Sequence, residues 1–214
     1  MLVVVFNAGS LSYASAALSV LMDYFGFFKI KYEVVEDLKG FNTKKAHPSW
    51  MKLLTHRMFP GHDFILNWDL DLLPIRSAPS IETILDKAKL NMAIDSTLIA
   101  GQDKFNENFK YNGGLVGVPA SMAEWIAAIY DKHAPGEYPS YEQYYLNDAI
   151  VADKVDVHRI PDEFNTLFPQ CSAGKILWDN AVIKHYGCSI LSSLDMVTLT
   201  DIHAENYFKG AMYV

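Results

Sequence analysis

The stretch ILNWDLDLLP, residues 65–74, sets two carboxylates inside an apolar run that is typical of a strand buried in a sheet. Asp69 and Asp71 are two positions apart, so on a regular strand both side chains face the same side. A buried carboxylate must be paired, protonated or bound to a metal, because an isolated buried charge is very costly. Two such oxygens at a strand end suit Mg²⁺ or Mn²⁺ shared with substrate phosphates. The alternative is that one aspartate caps the turn and the other is solvated.

Strands and helices alternate around this stretch. The predicted strands include LVVVF (2–6), KIKYEVVED (29–37), DFILNWDLDLL (63–73), NMAID (91–95), YNGGLVGVP (111–119), KVDVHRIP (154–161) and most of ILWDNAVIKHYG (176–187). The predicted helices are SYASAALSVLMDYF (12–25), with Ser10 or Ser12 as its cap, HPSWMKLLTHRM (47–58), SIETILDKAKL (80–90), ASMAEWIAAIYDKH (120–133) and SYEQYYLNDAIVAD (140–153). This alternation predicts an α/β sandwich with a largely parallel sheet, in which ligands bind at the carboxyl ends of the strands. The last 27 residues have a mixed pattern.

Composition narrows the classes of function. The chain has 214 residues and a formal net charge of -7, with no cluster of Lys and Arg longer than a pair, so nucleic acid and anionic membranes are poor partners. No apolar run reaches the roughly 20 residues that span a bilayer. Two cysteines make neither a disulfide framework nor a metal knuckle, which favours a reducing, cytoplasmic setting. An acidic protein that handles a phosphorylated molecule needs a cation.

Three further segments carry side chains suited to a binding site. His185 ends the apolar run AVIKHYG, and an imidazole is a good third ligand for Mn²⁺, although a structural histidine is the commoner case. YNGG joins Asn112 to two glycines, which permits close approach of a ligand, or simply forms a turn into a strand. In EQYYLN, Gln143 and Asn147 share one helix face. The alternative is a solvated helix face with Glu142 near the N-terminus, where the helix dipole favours a carboxylate.

The order of these segments resembles that of the GT-A glycosyltransferases, in particular the retaining, metal-dependent enzymes of the glycogenin and lipopolysaccharide galactosyltransferase type. The matching segments are FNAGSLSY, WMKLL, DLD, YNGGLVGV, EQYYLN, IPDEFN and IKHYG. They cover roughly residues 1–190, and the chain is similar above all to the compact glycosyltransferases that modify capsid protein in large algal viruses. The resemblance implies one GT-A domain over 1–214, a Rossmann-like α/β/α sandwich with a mostly parallel central sheet. Its nucleotide-binding half lies at about 1–75 and its sugar and acceptor half at about 76–214. A viral member would act in the host cytoplasm.

The resemblance also implies a role for each matching residue. Metal binding falls to Asp69, Asp71 and His185, with Mn²⁺ or Mg²⁺ as the cofactor. Nucleotide binding falls to Asn7, Ala8, Gly9, Tyr13, Lys52, Asp69 and Gly187. Sugar binding falls to Asn112, Gly113, Gly114, Glu142 and Gln143, of which Glu142 and Gln143 are the catalytic pair. The implied reaction transfers a sugar from a UDP-sugar to a glycan or glycoprotein acceptor with retention of configuration.

The chain departs from this family at identifiable points. The Lys-Pro-Trp that follows the last motif in the family is replaced by CSIL, which leaves Lys184 or Lys52 to neutralise the departing diphosphate. Glu142 stands where the family has Asp. The alternative functions are a sugar-phosphate nucleotidyltransferase, whose usual basic residue is missing from NAGSLSYAS, and a catalytically silent module that binds nucleotide sugars.

Overall fold

The computed structural model describes residues 1–7, 11–38, 40–94, 111–135, 142–168, 178–186 and 193–209. In chain order its elements are β1 (Leu2–Phe6), α1 (Ala14–Phe27), β2 (Tyr32–Val35), α2 (Thr55–Met58), β3 (Phe64–Trp68), β4 (Leu72–Pro74), β5 (Leu90–Ile94), β6 (Tyr111–Pro119), α3 (Ala123–His133), α4 (Glu142–Ala152), β7 (Val157–Ile160), β8 (Thr166–Leu167), β9 (Ile183–His185) and α5 (Ser193–Lys209). Short 3₁₀ segments occupy Pro48–Leu54, Ile81–Ile84, Ala120–Met122, Asp162–Phe164 and Trp178–Asn180.

Six of the described strands form one sheet in the order β2-β1-β3-β6-β5-β7. Strand β1 pairs in parallel with β2 and β3, and β5 pairs in parallel with β7, whereas β6 is antiparallel to both of its neighbours. All strands of this sheet except β6 therefore point the same way, which confirms the predicted α/β fold with a mostly parallel sheet. Because β6 is reversed, its first residues lie at the edge where the other strands end. The YNGG segment thus reaches the ligand edge although it begins a strand.

The side chains of the sheet alternate between two apolar layers, as strand geometry requires. Val3, Val5 and Leu115 join the core formed with α1 and α5, to which Phe25 belongs. Val116 lies on the opposite face, in the core that includes residues of α3 and α4. Full burial of each such aliphatic side chain contributes about 1.5–3 kcal/mol. These two layers make the predicted α/β/α sandwich.

A smaller sheet of three described strands, in the order β4-β9-β8, extends from the ligand edge of the sandwich. Strand β4 pairs antiparallel with β9, with Leu72 opposite His185 and Pro74 opposite Ile183. Strand β8 pairs in parallel with the other side of β9. This sheet brings segments that are more than a hundred residues apart into direct contact.

The helix predicted over 80–90 is wrong. Only Ile81–Ile84 is helical, as a 3₁₀ turn, although the Ser80 side chain caps it as expected. The buried side chain of Asn91 explains the early end: its Oδ1 accepts from the backbone N–H of Asp86 at 2.9 Å, and its Nδ2 donates to the carbonyl of Asp86 at 2.7 Å. These bonds hold the backbone in a turn that competes with a helix.

Other elements also differ from their predicted form. Most of the helix predicted over 47–58 is a 3₁₀ segment in which the consecutive residues 50–54 are all buried, so packing rather than amphipathic period sets its shape. Helix α1 has Tyr13 at its N-cap and no side-chain cap, so Ser12 does not cap it, and Ser10 lies outside the described residues. Of the strand predicted over 176–187, the described part forms a strand only in β9.

Among the described residues, none of the helices is both long and apolar enough to cross a bilayer.

Candidate active site

Asp69 and Asp71 lie in the turn between β3 and β4, not within one continuous strand as predicted. The turn is closed by the backbone N–H of Leu72, which donates to the carbonyl of Asp69 at 3.1 Å. The indole of Trp68 donates to the Leu72 carbonyl at 2.8 Å and braces the same turn. Leu70, between the two aspartates, is buried in the core. Its burial anchors the turn, while both carboxylates stay at the edge of the sheet.

The pairing of β4 with β9 brings His185 to these carboxylates. The backbone N–H of Tyr186 donates to the Asp71 carbonyl at 2.9 Å, which extends the ladder into the turn. The imidazole Nε2 of His185 lies 3.5 Å from Asp71 Oδ1. One ligand atom from each of Asp69, Asp71 and His185 lies within 4.8 Å of the others. The three residues predicted to bind a metal therefore meet at one point.

The setting of the two carboxylates favours a cation between them. Burial raises the pKa of Asp69 to about 6, against the lowering effect of the Lys52 ammonium, and burial also raises the pKa of Asp71. Asp71 Oδ1 is buried and has no hydrogen-bond partner among the described residues. Two carboxylates and one imidazole are a suitable donor set for Mn²⁺ or Mg²⁺, and such an ion would satisfy that oxygen. The residues present thus fit the predicted metal.

Lys52 joins the metal-binding side of the site to the side of α4. Its ammonium lies 2.6 Å from Asp69 Oδ1 and 3.4 Å from Glu142 Oε1. It also donates to the carbonyl of Gly113 at 2.8 Å. The Lys52 side chain is only 4% exposed, so these three acceptors, all protein groups, surround its charge. This geometry favours a role in positioning the two carboxylates.

Helix α4 docks on the start of β6 through amide side chains. Asn147 bonds to both backbone groups of Tyr111, accepting from its N–H and donating to its carbonyl, each at 2.8 Å. Gln143 Oε1 accepts from the backbone N–H of Gly113 at 2.7 Å. Glu142 is buried, and its Oε2 has no hydrogen-bond partner among the described residues. The EQYYLN helix and the YNGG strand thus form one wall of the site.

Gly114 is packed so closely that any side chain would disturb this wall. A Cβ there would lie 2.8 Å from Asn112 Oδ1, 2.8 Å from Leu72 Cδ1 and 2.9 Å from His185 Cε1. We expect Gly114→Ala to lower the free energy of unfolding by about 1–3 kcal/mol, the usual cost of overpacking. The added Cβ should also displace the imidazole of His185 and thereby weaken Mn²⁺ binding, which calorimetry on the folded variant measures.

Gly26, in α1, provides the control for this substitution. A Cβ at Gly26 would have no neighbour within 4 Å. Gly26→Ala should therefore keep Mn²⁺ affinity and raise helix stability by about 0.5–1 kcal/mol. Wild-type stability and metal affinity in Gly114→Ala would show that the close packing at this point has no consequence.

Asn7 and Tyr13 lie near the same edge, at the end of β1 and the start of α1. The amide of Asn7 donates to Glu36 Oε1 at 3.3 Å, and its Oδ1 is buried with no hydrogen-bond partner among the described residues. Burial raises the pKa of the Tyr13 phenol, and the charges of Asp71 and Asp69 add to the rise. Tyr13 is therefore within electrostatic reach of the carboxylates. Three more residues predicted for nucleotide binding lie outside the described residues: Ala8, Gly9 and Gly187.

Two residues join the site without an assigned role in the sequence motifs. The Oδ1 of Asn165 lies 2.8 Å from Nδ1 of the His185 ring. The only sequence signal for Asn165 is its place at the end of IPDEFN. Burial lowers the pKa of His47, while the charge of Glu142 raises it and that of Lys52 lowers it, so His47 is within electrostatic reach of both groups. Nothing in the sequence around His47 marks it except the proline that follows.

Lys184, the other candidate for the positive group, lies on the opposite side of β9 from His185. Its ammonium is 4.7 Å from the centroid of the Trp178 ring. It lines a cavity of about 330 Å³ between β9 and α5, together with Tyr186 and His203. Alternation along the strand causes this separation, since neighbouring residues face opposite sides. Of the two lysines, Lys52 is therefore the one beside the carboxylates.

Comparison with known proteins gives structural matches but no match by sequence. No protein-family model matches the chain, and no curated protein is similar to it in sequence. A glycosyltransferase involved in the glycosylation of the major capsid of PBCV-1 is similar in structure, with a TM-score of 0.66 at 13% identity over 94% of this chain and 98% of that one. The galactosyltransferase LgtC, solved with donor and acceptor sugar analogs, gives a TM-score of 0.55 at 14% identity over 95% of this chain and 96% of that one.

A third match is part of a larger protein. The bifunctional glycosyltransferase WbbM gives a TM-score of 0.59 at 13% identity over 96% of this chain and 51% of that one. Identity this low carries information about the fold and not about the substrate. The predicted architecture is confirmed: the chain has the GT-A fold, the Rossmann-like α/β/α sandwich of these glycosyltransferases.

Proposed function

We propose that the protein is a metal-dependent glycosyltransferase that moves a sugar from a UDP-sugar to a glycan or protein-linked glycan, with retention of configuration. The observation that carries the proposal is the cluster of Asp69, Asp71 and His185 at the ligand edge of a GT-A fold. Across Lys52, this cluster faces the buried carboxylate of Glu142. A metal site for a diphosphate and a polar wall for a sugar thus adjoin each other.

The nucleotide would lie along the half formed by residues of about 1–75. Asn7 Oδ1 is a buried acceptor whose amide nitrogen already donates to Glu36, so it suits the N3–H of uracil. Cytosine has an acceptor at N3, so in the same position it would place one acceptor against another, which favours UDP over CDP. Tyr13 would stack on the base. We also assign Ala8, Gly9 and Gly187 to nucleotide binding, as the resemblance implies.

Asp69, Asp71 and His185 would hold Mn²⁺ or Mg²⁺ against the diphosphate. When bound, the ion supplies Lewis acidity and positive charge to the leaving group. Lys52 orients Asp69 through its contact of 2.6 Å and limits the repulsion between the carboxylates. Because Asp69 and Asp71 lie in the first half of the chain and His185 in the second, the proposed metal ligands come from both halves.

The sugar would lie against the half formed by residues of about 76–214. Glu142 Oε2, buried and without a partner among the described residues, can accept from a sugar hydroxyl. Asn112 Oδ1 already accepts from the Gly114 N–H and from Asn165, so Asn112 would contact the sugar through its NH₂ group. Gly113 and Gly114 would allow close approach. Glu142 and Gln143 would flank the anomeric carbon on the face opposite the leaving group.

A thermal-shift screen tests the donor. A ligand at 100 times its Kd raises the free energy of unfolding by about 2.7 kcal/mol, which at this size is a shift of several degrees. We expect UDP and one UDP-sugar to stabilise the protein with Mn²⁺ and much less with EDTA. CDP, which differs at the base edge, should give a smaller shift at equal concentration. Equal shifts with UDP and CDP would contradict the role of Asn7.

A product assay then separates the possible functions. Release of free UDP from the stabilising donor, with a product whose anomeric configuration matches the donor by NMR, would establish a retaining transferase. Formation of pyrophosphate from UTP and a sugar phosphate would indicate a nucleotidyltransferase. Binding of the UDP-sugar with no release of UDP, in the presence of a broad panel of acceptor glycans, would indicate a binding module.

A further inference from the structure

A chain of buried side chains leads from the backbone of β6 to His185. The backbone N–H of Gly114 donates to Asn112 Oδ1 at 2.8 Å. Asn165 Nδ2 donates to the same oxygen at 3.0 Å, and Asn165 Oδ1 lies 2.8 Å from His185 Nδ1. The three side-chain residues are 7%, 3% and 6% exposed: Asn112, Asn165 and His185. Each link therefore lies in an interior where an unmatched polar atom is costly.

The direction of every bond follows from the first one. A backbone N–H can only donate, so Asn112 must present its oxygen to Gly114. That oxygen can only accept, so Asn165 must present its NH₂ group to Asn112 and its oxygen to His185. His185 must then donate from Nδ1, which places its proton on that nitrogen. In the neutral ring, Nε2 is left as the lone-pair nitrogen.

The resulting tautomer is the one that a metal site needs. His185 Nε2 lies 3.5 Å from Asp71 Oδ1, within the cluster of candidate ligands. Asp71 by itself would favour the other tautomer, because an Nε2–H could donate toward that carboxylate. The bond to Asn165 opposes this choice and leaves the lone pair on Nε2, the nitrogen that lies beside Asp71 in the cluster of candidate ligands. Ligating histidines commonly have their second nitrogen fixed in this way.

We propose that Asn112 and Asn165 are positioning residues that hold His185 in the Nδ1–H tautomer and thereby prepare Nε2 to ligate the metal. The proposal rests on the metal site of the proposed function. It assigns to Asn165, which no sequence motif linked to the metal, a part in metal affinity.

Other histidines in the chain provide an internal reference. His56, His158 and His203 each place Nε2 at 2.9 Å from a backbone carbonyl oxygen. A carbonyl can only accept, so these three rings carry a proton on Nε2. If neutral, they are Nε2–H tautomers, opposite to His185. One spectrum of the protein can therefore display both kinds of ring.

Long-range ¹H–¹⁵N NMR of the metal-free, uniformly ¹⁵N-labelled protein at pH 8 reads the tautomers directly. The signals of His185 are assigned by their loss in His185→Gln. We expect the Nδ1–H pattern for His185 and the Nε2–H pattern for His56, His158 and His203. An Nε2–H pattern for His185 in the wild-type protein would overturn the proposal.

Substitution of Asn165 tests the consequence for the metal. Asn165→Leu should shift His185 toward the Nε2–H tautomer and weaken Mn²⁺ binding about 10–100-fold, measured by calorimetry with the metal alone. Asn112→Asp keeps an oxygen for both donors and should retain the tautomer. Asn165→Ala is the second variant if Asn165→Leu does not fold. Unchanged tautomer and affinity in the folded variant would refute the positioning role.

A buried asparagine away from the metal supplies the control. Asn91 is fully buried, with bonds to the loop before β5. Asn91→Leu should lose stability while leaving the tautomer of His185 and the Mn²⁺ affinity unchanged. A wild-type protein that binds no Mn²⁺ would refute the metal site, and with it the proposed function. Binding of Mn²⁺ that is insensitive to Asn165 would refute only the positioning role.

Discussion

Asp71→Ala is expected to reduce Mn²⁺-dependent turnover of the proposed UDP-sugar donor by a factor of at least about 10²–10³, the usual effect of removing one group that stabilises a developing charge, here through the cation that Asp71 would hold. Asp71 contributes a buried oxygen 3.5 Å from His185 Nε2, and that oxygen has no hydrogen-bond partner among the described residues. Without it, only Asp69 and His185 remain of the cluster. The measurement is release of UDP at saturating Mn²⁺, compared with the same assay in EDTA.

The same position separates function from stability. Burial raises the pKa of Asp71 in the folded protein, so between the ordinary aspartate pKa and the raised one the folded state binds more protons than the unfolded state. The stability contributed at this site therefore falls as pH rises through that interval. The isosteric Asp71→Asn removes the charge, so in EDTA at pH 7.5 its Tm should equal or exceed that of the wild type. Its Mn²⁺-induced rise in Tm should be lost.

Asp63 is the control for these variants, because it is exposed and directly precedes the first residue of β3, at the end of the strand away from Asp71. Asp63→Asn changes the net charge equally and should keep both turnover and the Mn²⁺-induced shift. Full turnover by Asp71→Ala in EDTA-treated buffer would rule out the metal assignment.

Lys52→Met is expected to lower the free energy of unfolding by about 3–5 kcal/mol, the usual cost of breaking a buried ion pair. The substitution would leave Asp69 and Glu142 without the ammonium that lies 2.6 Å and 3.4 Å from them. It would also leave the Gly113 carbonyl without its donor at 2.8 Å. For a domain of this size the Tm should fall by on the order of 10 °C. Thermal and urea unfolding in EDTA measure the loss without interference from metal.

A double variant separates the charge effect from the packing effect. Lys52→Met combined with Glu142→Gln removes one of the carboxylates that the lysine neutralises, so it should recover part of the lost stability. Turnover should stay low, because Glu142 belongs to the proposed sugar site. Additive losses in the double variant would contradict coupling between the two residues.

An exposed ion pair supplies the contrast for Lys52. Lys209 lies 3.0 Å from Glu205 on α5, and both side chains are more than half exposed. Lys209→Met should change the free energy of unfolding by less than about 1 kcal/mol, because water screens a surface pair. A similarly small effect of Lys52→Met would mean that the buried contacts do not stabilise the fold.

The alternation of strands and helices was enough to predict an α/β sandwich with a largely parallel sheet, because each buried strand and amphipathic helix is specified by nearby residues. Local pattern failed where tertiary contacts replaced it. The apolar period over 80–90 indicated a helix, but the Asn91 side chain binds the Asp86 backbone instead. The run through Asp69 and Asp71 indicated one strand, but β4 leaves the main sheet to pair with β9.

The sequence by itself determined the fold class and the chemical groups of the candidate site: two aspartates two positions apart, a histidine after an apolar run, and an asparagine before two glycines. Only the tertiary structure decided how these groups act on one another. It turned Lys52 toward Asp69 and Glu142, separated Lys184 from His185 across β9, and linked Asn165 to the imidazole. The physical reason is that periodicity reports the face on which a residue lies, whereas charge pairing and hydrogen-bond direction depend on segments far apart in the chain.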